Sequence, residues 1–109
     1  MTDANPHHKV PREMVRLREM LDKAGVEYRT EDYESPVPRA AGRMEYHTTS
    51  TDWDTLGGET VVGFSAILTP FSYGSEYGLL EVWTRDTQGP EGWLSAEEAM
   101  ELLRKAGLA

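Results

Sequence analysis

The serines, histidines and carboxylates of this chain could carry chemistry, and their spacing narrows what that chemistry would be. Ser75 lies in Gly74-Ser75-Glu76-Tyr77-Gly78, whereas a nucleophile elbow needs its serine midway between the two glycines. His47 is the one histidine outside the N-terminal arm, so any serine triad would have to be assembled around it by geometry rather than by motif. Asp52, Asp54 and Glu59 invite a calcium reading. The EF-hand pattern fails, because Leu56 holds its fifth position and Gly63 the place of its bidentate glutamate. These acids read instead as solvent-face residues of a hairpin, under the alternation of strand side chains. His7 and His8 would need His47 to complete a metal site. Neither the phosphate-cradling Gly-x-x-x-x-Gly-Lys nor the dinucleotide Gly-x-Gly-x-x-Gly occurs. The expectation is a protein without catalytic residues, metal or cofactor, and not an enzyme.

Charge excludes more. The net charge is −8, but residues 1–43 hold 8 acids and 8 bases, while residues 44–103 hold 11 acids and only Arg85 as a base. A field this lopsided repels phosphate backbones and attracts basic surfaces. Direct nucleic-acid binding is therefore disfavoured, although three Trp and five Tyr would otherwise offer stacking platforms. The same acids can also serve simply to keep a small protein soluble.

Phe71, Tyr73 and Tyr77 form a third group. Gly74 and Gly78 let backbone pass closely beneath aromatic rings, giving either a packed lid or a docking patch. As a docking patch it would be aromatic in the middle and rimmed by Glu59, Glu76 and Glu81, the pattern of an interface anchor.

The elements that must position these groups follow from hydropathy. At 109 residues the chain has the size of one domain. Residues 1–9 are expected to form a disordered arm and residues 10–109 a single domain. Val10, Met14, Leu17, Leu21 and Ala24 make one stripe of an amphipathic helix with Pro11 in its first turn. Its end, Lys23-Ala24-Gly25-Val26, is echoed by Lys105-Ala106-Gly107-Leu108, which is shared C-terminal capping chemistry. Residues 26–33 alternate as a strand, and Ser35 to Gly42 reads as a proline-broken loop. Gly57-Gly58 suits a two-residue hairpin turn. Its pairing puts Thr51, Trp53, Val62, Phe64, Ala66 and Leu68 on a core face. Residues 79–83 make a further strand, residues 85–92 a loop, and Ser95 with Glu98 a capping box opening the last helix. The fold expected is α+β: an antiparallel sheet of three or four strands with the N- and C-terminal helices packed on one face.

The segments Phe71-Ser72-Tyr73-Gly74, Glu76, Gly78-Leu79-Leu80-Glu81 and Gly92-Trp93-Leu94-Ser95-Ala96-Glu97-Glu98 resemble those of a group of small phage- and prophage-encoded proteins. Leu21 to Tyr28 is similar to that group's first helix and strand. The spacer before the last helix is shorter here than in the group. The resemblance implies a mobile-element origin and no particular activity, so it carries over no catalytic residue.

Without an apolar run of the ~20 residues that span a bilayer, a signal core or cysteine, the expected location is the cytoplasm of a host cell. The expected role is to bind a host protein or complex with a basic surface. One form of this is interference with a nucleic-acid-targeting defence system, with Asp52, Asp54, Glu59, Glu76 and Glu81 as contacts. The alternative is a structural or regulatory accessory protein docking through Phe71, Tyr73 and Tyr77. Whether the acids form one patch, and whether the aromatic loop is exposed or core, is left open at this level.

Overall fold

The computed structural model describes residues 10–36, 43–51 and 63–109. The N-terminal arm and the Gly57-Gly58 turn, with Asp52, Asp54 and Glu59, lie outside the described residues.

Two helices bracket the chain, α1 over Arg12–Lys23 and α2 over Ala96–Lys105. Pro11 precedes α1 with φ −58°, a position where its missing N–H costs nothing. Both helices end alike. The Gly25 and Val26 amides donate to the carbonyls of Asp22 and Leu21, and those of Gly107 and Leu108 to Arg104 and Leu103, so the echo is one capping device used twice. Ala24, expected in the buried stripe, is exposed at the cap, and Arg18 is buried in its place. The α2 start forms the full capping box, with Glu98 N–H donating to Ser95 Oγ at 3.2 Å and Ser95 N–H to Glu98 Oε1 at 2.9 Å.

Between them runs a five-stranded antiparallel meander, β1 Arg29–Pro36, β2 Arg43–Ser50, β3 Phe64–Leu68, β4 Leu80–Thr84 and β5 Glu91–Leu94. The α+β class stands, and the described residues form five strands rather than three or four. β5 is the strand that the hydropathy pattern hides, because Gly92 and a bulge at Trp93 break its alternation. β1 begins at Arg29 rather than Val26, and extends to Pro36, through the start of the expected loop.

Register decides which residues meet. Ala66 of β3 pairs with Thr49 of β2 and Val82 of β4, Leu68 pairs with His47, and His47 in turn with Asp32 of β1. Directly paired residues point to the same side. Asp32, His47 and Thr49 therefore share a side with Phe64, Ala66, Leu68 and Val82. These apolar residues form one core with Met14, Leu17 and Leu21 of α1 and Ala99, Met100 and Leu103 of α2. The two helices are also tied end to side. Glu13 of α1 accepts the Ala96 amide of α2 at 2.8 Å, and Arg16 bridges Glu13 and Glu97. No described helix is long and apolar enough to cross a membrane.

Candidate functional site

On the side of β4 away from Val82 the aromatic loop folds back onto the sheet. Glu81 is only 9% exposed, and its Oε2 accepts the Tyr73 N–H at 2.7 Å. The Tyr73 carbonyl accepts the Trp93 N–H at 3.1 Å, and the two rings stack with centroids 5.4 Å apart. Two glycines make this approach possible. A Cβ on Gly92 would run into Tyr73, reaching 2.8 Å from its carbonyl oxygen, and one on Gly74 would come within 2.8 Å of the Trp93 backbone. Ser72 ties the loop's entry by exchanging hydrogen bonds with Thr69, 2.9 Å each way.

Trp93 has φ +55°, the sole positive φ at a non-glycine among the described residues. A bulky side chain is disfavoured there, and such residues persist where the surroundings over-determine them. Here the surroundings are the Tyr73 carbonyl and ring. The rings this arrangement holds are not buried: Phe71 is 76% exposed, Tyr77 74%, Tyr73 55% and Trp93 53%.

This places the residues expected to meet a partner. Phe71, Tyr73, Glu76 and Tyr77 lie at the surface of one loop. Glu81, expected among the contacts, lies beneath it, nearly buried, as the acceptor that orders the Tyr73 amide. The other acids of the second half are partly committed as well. Glu97 pairs with Arg16, Glu101 with Arg104 at 3.4 Å and Asp86 with Arg85 at 3.6 Å, while Glu98 caps α2. The hydrogen bond from Arg16 holds the Glu97 carboxyl below its ordinary value. Glu76 and Glu91 are exposed and form no ion pair among the described residues.

The sequence reading missed a second cluster, on the core side of β1 and β2. Arg18 is 4% exposed, and its guanidinium donates to both oxygens of Asp32 at 2.9 and 3.0 Å, to Thr49 Oγ1 at 2.9 Å and to the Thr48 carbonyl at 2.9 Å. His47 Nδ1 lies 2.8 Å from the same Asp32 Oδ1. Burial alone would raise the Asp32 carboxyl, but the hydrogen bonds from Arg18 and His47 outweigh it and hold the group below its ordinary value. The clue lay in register and stripe together: Asp32 and His47 fall in phase with Thr30 and Thr49, and Arg18 falls beside Leu17 on the apolar stripe of α1.

His47 and Ser75 line one cleft of about 500 Å³. Ser75 Oγ nevertheless points to the Pro70 carbonyl, 3.5 Å away, and His47 Nε2 has no hydrogen-bond partner among the described residues. The serine, histidine and aspartate share a neighbourhood without forming the bonded chain that nucleophilic activation needs. Among the described residues no group of three or more His, Cys, Asp or Glu could hold a metal ion. No protein-family model matches the chain, and neither a curated protein nor a solved structure matches it.

Proposed function

We propose that this chain is a small acidic binding protein without catalytic activity, of mobile-element origin, that docks onto a host protein through the Phe71–Tyr77 loop and the Trp93 bulge. The observation that carries this reading is the disfavoured backbone of Trp93, held in place to keep a stacked Tyr73–Trp93 pair half in solvent beside Phe71 and Tyr77. Aromatics needed only to finish a core would be buried. Rigid aromatic anchors lose little entropy on binding and dominate interface energetics. In this reading both helices cover the Phe64–Ala66–Leu68 side of the sheet and leave the loop side to the partner.

Charge supplies the partner's chemistry. A net −8 with exposed Glu76 and Glu91 beside the loop favours a basic protein surface, met in the host cytoplasm. If that surface is the nucleic-acid groove of a defence complex, docking inhibits it, and DNA or RNA competes with this chain for the partner. Photo-crosslinking tests the reading: a crosslinking residue at Tyr77 captures one discrete protein from host lysate, and the same residue at exposed Lys23 on α1 does not. Capture that ignores position contradicts it.

A further inference from the structure

The cleft behind the aromatic loop is a separate feature. Pro11 and Leu68 wall it, and Glu45, His47, Ser75 and Glu76 supply its polar lining. His47 is 3% exposed, and its environment fixes its hydrogen-bonding roles. Asp32 is engaged by two Arg18 nitrogens, which keeps it an anion and so an acceptor only. Nδ1 must therefore donate to Asp32, and in the neutral ring Nε2 carries a lone pair with no donor among the described residues to meet it. Glu45 Oε2 is 3.6 Å from Nε2, too far for a hydrogen bond, and as a carboxylate it has no proton to give. A buried acceptor left without a donor is costly unless something completes it.

The surroundings select what does. Around His47 stand Asp32 of β1, which its Nδ1 meets, Arg18 of α1 on that same carboxylate, and Glu45 of β2, while Glu76 of the loop lines the same cleft. Arg18 is consumed by Asp32 and Thr49, so the open side is bounded by two carboxylates. An anion is repelled there, and among the described residues a metal ion lacks a third ligand. The complement is a cation that carries N–H donors.

We propose that this cleft binds a protonated amine or guanidinium, with His47 Nε2 as acceptor and Glu45 and Glu76 as counter-charges, and that a lysine or arginine side chain of the docked partner supplies it. The source of the cation rests on the docking reading; the amine site itself does not. Glu76 belongs to both surfaces, lining the cleft and sitting between Tyr73 and Tyr77, so a partner seated on the loop has a basic side chain within reach of it.

The test is a titration of the full chain, ¹⁵N-labelled at histidine, with N-acetyl-lysinamide and with uncharged N-acetyl-norleucinamide. The expected result is a saturable shift of His47 Nε2 with the lysine compound alone, weakened about tenfold in Glu45→Gln/Glu76→Gln, whose substitutions are exposed and leave the core untouched. No saturable shift, an equal shift with norleucinamide, or unchanged affinity in the double variant overturns the site. A second arm identifies the source. Partner capture falls about tenfold in the double variant if the partner supplies the cation, and unchanged capture overturns that assignment in favour of a free amine. Phe71→Ser/Tyr77→Ser abolishes capture and leaves the titration intact, so failure of docking and failure of the cleft read out separately.

Discussion

Gly92 has room for a hydrogen and nothing larger, because Tyr73 occupies the space a Cβ would take. Gly92→Ala is expected to cost about 1–3 kcal/mol by overpacking, read as a lower urea midpoint, with a change in Trp emission as the Tyr73–Trp93 stack opens. A stability equal to wild type would deny the interlock. At Arg18 the stakes are higher, since its removal strands a buried carboxylate. Arg18→Met is expected to lose about 3–5 kcal/mol, and Arg18→Lys to restore little, because an ammonium cannot satisfy both Asp32 oxygens in a fork. Two titrations carry signs. The Asp32 carboxyl is held below 3.8, so its contribution is present above that value and is lost as the pH falls through the folded-state value. Tyr28 is pushed up from 10.0 to about 12 by burial and by its hydrogen bond to Asp22. Its contribution is thus full below pH 10 and lost between 10 and about 12, and Tyr28→Phe should flatten that part of an alkaline unfolding curve. Single residues were the least legible level of the sequence. Glu81 and Glu76 look alike in the string, and only the fold-back of the loop makes one a buried acceptor and the other a surface acid.

At the scale of elements, the helices were readable and the strands only in part. Local signals determine a helix: the stripe, the proline at its start, the capping box and the glycine ends all lie within a few residues of where they act. Strands depend on distant partners. β5 has four residues, two of them Gly92 and Trp93, and it exists because Leu80 and Val82 pair with it. The loop-and-bulge unit was visible as the string Phe71 to Glu81 followed by Gly92-Trp93, but its interlocking was not, since nothing local says that Gly92 makes room for Tyr73. The junction between helices is likewise nonlocal. Glu13 accepts the Ala96 amide from 83 positions away. Glu13→Ala removes a cap on α2 and one end of the Arg16 bridge, with an expected loss of about 0.5–2 kcal/mol by thermal or urea denaturation. A loss within error would show that Ser95 and Glu98 suffice to start the helix.

For the molecule as a whole, the sequence shows an excess of acid, and the fold shows how much of it is committed. Several carboxylates of the second half cap, pair or support the loop, while Glu76 and Glu91 are exposed without an ion pair among the described residues and exposed Glu45 has only the His47 ring beside it. The aromatic surface, by contrast, is held in place by backbone hydrogen bonds and ring stacking. Short-range apolar contact and long-range attraction respond differently to salt, because the screening length shrinks from about 10 Å at 0.1 M to about 3 Å at 1 M. The most direct measurement is therefore partner capture from host lysate at low and at 1 M salt, comparing wild type with Phe71→Ser/Tyr77→Ser and with Glu76→Lys/Glu91→Lys. Docking through the aromatic face predicts capture that survives 1 M salt, disappears in the serine variant and is weakened but not lost in the lysine variant, because Glu76 also lines the cleft. Capture that persists in the serine variant but vanishes with salt or with the lysine changes would contradict it.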